Sequence, residues 1–201
     1  MKKPLILTAL EMEACAVERQ LAGEDFSIEM KVIGIGAVRL PADLSGASLI
    51  IMAGLAGALD PALKIGDVVS DETGSRIHTS EKLVSTPDEK ARLFRETGAA
   101  AVDMENAIVL AKANAAAVPF VGIRAISDTA GESVDPALFK LVDESGKVKP
   151  LAAARLFLRR PALLAQARRL QTNSNKALEA LGAAVRRFLE DRKERSPSGR
   201  G

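Results

Sequence analysis

Tryptophan and tyrosine are absent from this chain and phenylalanine occurs only six times. The aromatic platforms on which many nucleic-acid binders stack bases are therefore missing, and the core must rest on Ala, Leu, Val and Ile. An excess of charge of one sign is missing too. Lys and Arg number 28 against 26 Asp and Glu, a net charge of +2, so no global field favours a nucleic-acid partner. A single cysteine, Cys15, excludes an intramolecular disulfide, and no clustered Cys/His set exists to hold zinc. Flanked by Ala14 and Ala16 in a helical stretch, Cys15 reads as a small buried apolar residue. No apolar run is long enough to span a bilayer. The start carries Lys2 and Lys3 but soon meets Glu11 and Glu13, unlike a signal peptide. The expected location is cytoplasmic.

What is present suits one folded domain: 201 residues, 47% hydrophobic and 27% charged. Leu5 to Leu10 reads as a buried strand, and Glu11 opens a helix to about Leu21 with acids in its first turn. Ile28 to Ile35 and Ala47 to Ala53 read as strands, the latter running into Gly54-Leu55-Ala56-Gly57-Ala58. Val68-Val69 begins another strand, and Ser75 to Ser85 reads as extended. Thr86 caps a helix with Pro87 at its first position, running to Thr97 and stopped by Gly98. Ala99 to Met104 is a strand, Glu105 to Ala116 a helix, Pro119 to Ile126 a strand. From Leu151 to Lys193 the pattern is helical, broken at Pro161. Alternating strands and helices indicate an α/β sheet with helices on its faces. The expected organisation is an α/β domain over residues 1–150, a helical C-terminal extension over 151–195 packed on it, and a frayed tail over 196–201.

Two apolar runs end in carboxylates: Val102-Asp103-Met104-Glu105-Asn106 and Phe120 through Ser127-Asp128. With a helical segment between them, Glu105 and Asp128 are expected at one edge of the sheet, beyond the carboxyl ends of strands, where open α/β sheets bind ligands. A ribose needs acceptors for its hydroxyls, and a departing base needs a proton donor. Taken alone, Glu11 and Glu13 are ordinary first-turn acids. Gly34-Ile35-Gly36 lacks dinucleotide-fingerprint spacing, because Arg39 stands where a glycine would. His78, the only histidine, has no partner near in sequence and reads as structural. The basic residues of the last quarter, among them Arg155, Arg159, Arg160, Arg186 and Arg187, read first as a solvated helix face.

Taken together, these blocks resemble the nucleoside phosphorylase superfamily, closest in motif to the methylthioadenosine/S-adenosylhomocysteine nucleosidases. The resemblance covers Pro4 to Gly131: Ala9-Leu10-Glu11-Met12-Glu13, Gly34-Ile35-Gly36, Ala53 through Pro61 with Ile65 through Asp71, and the two carboxylate blocks. It implies a mixed central sheet flanked by helices. By resemblance Glu105 takes the ribose 2′- and 3′-hydroxyls with Met104 beneath the sugar. Asp128 protonates the purine at N7 with Ser127 orienting it, and Glu13 activates the nucleophile. Ala56, Gly57, Leu83, Val84 and Asp103 complete the substrate contacts. The transition state is a ribosyl oxocarbenium ion with a purine anion leaving, so a positioned acid and carboxylates serve it. No metal or organic cofactor is implied; phosphate is a possible co-substrate, with Arg39, Arg76 and Arg124 available for it. A homodimer is implied, because sites in this superfamily often borrow residues from a neighbouring subunit.

The departures carry information. The nucleosidases have an excursion between Gly74 and Ser75 that this chain lacks, which opens room at the ribose 5′ end. Leu55 stands where phosphorolytic members place a hydroxyl. The short form, the Thr97-to-Glu105 block and Arg159-Arg160-Pro161-Ala162-Leu163-Leu164 most resemble the hopanoid-associated phosphorylases, which release adenine from adenosylhopane, a step in hopanoid biosynthesis. Ala154 through Arg160 mixes apolar and basic side chains, as a helix lying on an anionic membrane does. The expectation is cleavage of an adenine nucleoside with a bulky 5′ group by phosphorolytic release of adenine from an adenosyl lipid, with methylthioadenosine-type hydrolysis as the alternative. The alternatives of another class are a non-catalytic nucleoside-binding protein and a membrane-associated scaffold. Small-molecule or lipid-linked nucleosides are the expected partners, with no nucleic acid.

Overall fold

A computed structural model describes residues 2–141 and 149–195; the tail expected over 196–201 lies outside the described residues. The longest strand, β3 (Ala47–Ala58), is the spine of a seven-stranded sheet. β1 (Lys3–Thr8) runs parallel to it and to β2 (Glu29–Val32), and β7 (Phe120–Asp128) runs parallel along its other edge. β4 (Val68–Ser70) pairs antiparallel with β7. β6 (Ala101–Asp103) pairs antiparallel with the end of β3, and β5 (Ile77–Thr79) runs parallel to β6. The sheet is mixed, as the resemblance implied.

β3 alternates its side chains between two apolar layers, which is why its sequence reads as an unbroken apolar run. Leu49, Ile51 and Ala53 pack with Val17 and Leu21 of α1 (Glu11–Leu21) and with Ala177, Leu181 and Val185 of α6 (Ala162–Arg195). Ile50 and Met52 pack on the opposite face with Val109 and Ala113 of α3 (Asn106–Ala115). Each fully buried Leu, Ile, Val or Met side chain among these contributes roughly 1.5–3 kcal/mol. Leu181 and Val185 are completely buried at four-residue spacing, so the second half of α6 is a layer of the core. Gly182 makes that layer possible: a Cβ there would meet the Ala16 carbonyl at 2.7 Å.

α2 (Pro87–Thr97) starts and stops where its local chemistry dictates. Thr86 accepts from the Glu89 amide, Glu89 reciprocates, and Gly98 ends the helix with a left-handed φ of 63°. A short helix, α4 (Pro136–Phe139), and α5 (Pro150–Arg159) precede α6.

Three expectations are corrected. Only Ile77–Thr79 of the stretch Ser75 to Ser85 is a strand, since the Ser80 hydroxyl donates to the Lys82 carbonyl at 2.7 Å and turns the chain. Cys15 is exposed, on the outer side of an α1 whose Ala14, Ala16 and Val17 are buried. The third concerns strand direction. β6 runs antiparallel to β3 and β7, so Glu105 and Asp128 do not sit beyond the carboxyl ends of strands pointing one way.

Candidate active site

β3 has two edges, and β7 occupies one along its length, from Ile50 to Gly57. The other edge is shared: β1 pairs as far as Met52, and β6 resumes at Gly57. Between them lies a gap at Ala53–Ala56, into which the helix after β1 delivers Glu13, while the chain after β6 delivers Glu105 to the Gly36 turn.

Glu13 arrives from the first side. It is the third residue of α1, and its Oε2 accepts from the amides of Ala9 and Leu10 at 3.0 and 2.9 Å. Its Oε1 accepts from the Leu55 amide at 2.8 Å, filling the edge bond that neither β1 nor β6 supplies. Burial pushes its carboxyl up from the usual range, opposed by those amides and by the nearby Arg124 guanidinium. Gly54 leaves room for it, since a Cβ would lie 3.1 Å from Oε1.

Glu105 arrives from the second side, because antiparallel β6 carries the chain back toward the gap. Its Oε1 accepts from the Gly36 amide at 2.8 Å. That amide is presented by a turn with left-handed φ at Gly34 (78°) and Gly36 (67°), the physical reason for glycine in Gly34-Ile35-Gly36. Desolvation pushes the Glu105 carboxyl up to about 7, opposed by the Gly36 amide and Arg124 and reinforced by Asp103 and Glu13. The two glutamates therefore share one electrostatic neighbourhood. Met104, beside Glu105, is half-buried.

Asp128 lies across β3. The β3–β7 register shifts between Ala56 and Gly57, so that Ala56 faces Ile126 and Gly57 faces Asp128. Ser127 is the extra residue of this bulge, a device that re-aims side chains at a strand end. The Ser127 hydroxyl lies 3.0 Å from Asp128 Oδ1 and 3.3 Å from the Ala56 carbonyl. A Cβ on Gly57 would stand 2.9 Å from Asp128 Oδ2, so glycine is required there for the carboxylate to lie against the strand. Glu13 at Leu55 and Asp128 at Gly57 are two residues apart along β3, roughly 7 Å of strand.

Several expected residues are placed elsewhere. Asp103, expected at the substrate, is buried and spent on the protein. Its Oδ1 accepts from the Thr79 hydroxyl, and its Oδ2 from the Asn106 amide and from Arg124 Nε and Nη2. Arg124, expected to meet phosphate, is completely buried, and its Nη1 donates to the Met52 and Ile123 carbonyls. A guanidinium placed mid-strand takes the carboxylate beside it and is closed to a surface anion. Arg39 is exposed, with its guanidinium over the Gly34 turn. Leu83 and Val84 occupy an irregular stretch before α2, and Val84 packs with Leu59, Ala99 and Val102. His78 is in β5 and lines an open cleft of about 420 Å³ with Asp71, Arg76 and Asn106, which contains none of the three carboxylates above.

Sequence reasoning missed Lys90. It is completely buried in the first turn of α2, with Nζ 2.5 Å from Asp128 Oδ2, 2.7 Å from the Thr129 carbonyl and 3.2 Å from the Glu132 carbonyl. The available signal was its helix face: three and four residues on stand Leu93 and Phe94, which pack inward. A lysine on the apolar face of a helix needs a buried partner.

Among the described residues no group of His, Cys, Asp and Glu could hold a metal ion, and no helix is long and apolar enough to cross a membrane. The sequence profile of the phosphorylase superfamily matches residues 73–159. A 5′-methylthioadenosine/S-adenosylhomocysteine nucleosidase of Treponema pallidum (strain Nichols) is 37% identical over 84 residues, 42% of this chain and 30% of that protein. The chain thus matches under a third of the length of that curated relative. Among solved structures, the fold is shared with futalosine hydrolase of Helicobacter pylori strain 26695 (TM-score 0.63, 17% identity, 94% of this chain and 98% of that one). It is also shared with the Helicobacter pylori 5′-methylthioadenosine/S-adenosylhomocysteine nucleosidase (TM-score 0.62, 17% identity, 94% and 98%). A Chlamydia trachomatis nucleosidase variant bound to methylthioadenosine has a TM-score of 0.59, with 17% identity and coverage of 95% and 98%.

Proposed function

We propose that this chain is a member of the phosphorylase superfamily, whose profile matches residues 73–159, and that it cleaves the N-glycosidic bond between adenine and the ribose of a 5′-substituted nucleoside. One observation carries the reading: Glu13 holds the Leu55 amide at one edge of Gly54–Gly57, Asp128 lies against Gly57 from the other, and Glu105, on the Gly36 amide, shares the electrostatic neighbourhood of Glu13. A nucleoside laid across β3 there meets acceptors at its sugar and an acid at its base. Glu105 takes the ribose hydroxyls over Met104. Asp128, oriented by Ser127, gives N7 the proton that makes the purine a competent leaving group. Glu13 orders the nucleophile, and the three carboxylates steady the sugar cation. The 37%-identical match over 84 residues to a 5′-methylthioadenosine/S-adenosylhomocysteine nucleosidase supports the reaction class.

Water is the nucleophile that the site favours. Arg124 is closed over Asp103, and Leu55 offers no hydroxyl at the place where it presents its amide to Glu13. A second reading, phosphorolysis of an adenosyl lipid, is favoured by α5. Leu151 and Leu158 are 81% and 85% exposed there. Arg155 and Arg159, also exposed, share their helix face, while Leu156 and Phe157 pack inward. Such a face suits contact with an anionic membrane, and Arg39 is the cation left to meet phosphate. A homodimer belongs to both readings.

The deciding measurement is adenine release from adenosine, 5′-methylthioadenosine and a vesicle-borne adenosyl lipid, each with and without phosphate. Release in phosphate-free buffer supports hydrolysis. Release that requires phosphate and yields a ribose 1-phosphate supports the second reading. Adenosine bound but never cleaved makes the chain a nucleoside-binding protein.

A further inference from the structure

We infer that Lys90 is the positioning residue of the leaving-group acid, fixing Asp128 and compensating the charge that Asp128 acquires when it gives up its proton. This rests on the glycosidic-cleavage reading above and names a partner which that reading does not contain.

The argument begins with the cost of the lysine. An ammonium removed entirely from water is tolerated only where its charge is paired and its protons are accepted. Lys90 is 0% exposed, and Nζ has three acceptors for its three protons: Asp128 Oδ2, the Thr129 carbonyl and the Glu132 carbonyl. Those carbonyls belong to the turn that directly follows β7, which is closed by the Glu132 amide on the Thr129 carbonyl and by the Thr129 amide on Glu132 Oε2. The Val134 amide ties the same loop to the Ser85 carbonyl, just before α2. A capped helix, a closed turn and a strand bulge are therefore joined at one nitrogen.

Asp128 is held from both sides, Oδ1 by the Ser127 hydroxyl and Oδ2 by Lys90. Its side chain still keeps 15% of its exposure, while that of Lys90 keeps none. The exposed remainder of the pair is thus carboxylate, and the cation stands behind it.

The chemistry follows from that order. When the C1′–N9 bond breaks, its electron pair stays with the purine, and the proton shared by Asp128 and N7 goes to the purine. Asp128 is left as a carboxylate against the Lys90 ammonium, which neither gains nor loses a proton. Asp128 is reloaded from solvent after the base departs. With Asp128 protonated in the bound complex, the interaction is stronger after transfer than before it, and so favours the step in which the purine takes the proton.

The test compares two leaving groups in the full-length protein. 5′-Methylthioadenosine needs a proton at its base; 4-nitrophenyl β-ribofuranoside releases a stable phenolate and needs none. For Lys90→Met, kcat on the nucleoside should fall on the order of 10²-fold, the usual cost of one preorganised charge-stabilising contact, with KM nearly unchanged. The ratio of nucleoside to nitrophenyl turnover should fall by a similar factor. If the Met variant does not fold, Lys90→Gln, which keeps a donor but no charge, must show the same fall. Equal losses on both substrates would make Lys90 a structural residue and overturn the inference, as would an unchanged nucleoside rate. A parent inert on both substrates and on the vesicle-borne adenosyl lipid, with and without phosphate, would overturn the cleavage reading and this inference together, whereas an active parent with an unchanged ratio would overturn this inference alone.

Discussion

Two buried cation–carboxylate pairs each take one member from β7, Arg124 with Asp103 and Asp128 with Lys90, and they are built differently. In Arg124–Asp103 both side chains retain 1% of their exposure, and Asp103 accepts from Thr79, Asn106 and Arg124. In Lys90–Asp128 the cation is as fully enclosed, but the carboxylate keeps 15%. The first pair is a strut joining β3, β6, β7 and the start of α3. The second has an unfinished carboxylate. Burying charge is costly in both cases; closing the pair yields rigidity, and leaving one flank open yields a group that can still react.

The largest expected effect breaks the open pair. Asp128→Asn should lower nucleoside turnover by roughly 10²–10⁴, the usual contribution of a positioned acid, while ribose binding persists. Near-parental turnover would remove Asp128 from the chemistry. Next comes the closed pair. Asp103→Ala strands the Arg124 guanidinium and should cost about 3–5 kcal/mol of stability by urea denaturation. A loss below about 1 kcal/mol would mean that water reaches Arg124, and the contrast between the pairs would fail.

Glu105 sharpens the comparison, since it is buried and held by the Gly36 amide, with no ion pair among the described residues. Its carboxyl holds its proton to about 7 in the folded chain against 4.5 ordinarily. The sign follows: this group's contribution is fully favourable below 4.5 and is lost as pH rises through about 7. Relative to Glu105→Gln, the parent should lose roughly 3 kcal/mol across that window. Denaturation of both proteins at pH values bracketing it reads the difference, and a constant difference would mean a hydrated carboxylate. The smallest effect concerns how Lys90 is mounted. Thr86→Ala removes the cap of the helix turn carrying Lys90 and should cost about 1 kcal/mol. Turnover should fall by less than in Asp128→Asn, and a larger fall would give the cap itself a part in the site.

Local chemistry was legible along the chain. Thr86, Pro87 and Gly98 set the ends of α2 because caps and left-handed glycines act on the residues beside them. Glu105 and Asp128 were legible as candidates, because acids that follow apolar runs stand out, and Glu13 only through the resemblance of its block. Their partners were not. Lys90 lies 38 residues from Asp128, and Arg124 lies 21 from Asp103. Nothing in the spacing distinguishes Asp103, which closes on Arg124, from Asp128, which does not.

The sequence by itself determined the elements, the apolar alternation of β3 and the glycines that admit carboxylates, since each depends on neighbours or on a period of two. Only tertiary structure decided that β6 runs antiparallel, that β1 and β6 leave a gap on β3, and which cation closes which acid. Those outcomes depend on strand order and register, and they place in contact groups that the chain keeps far apart.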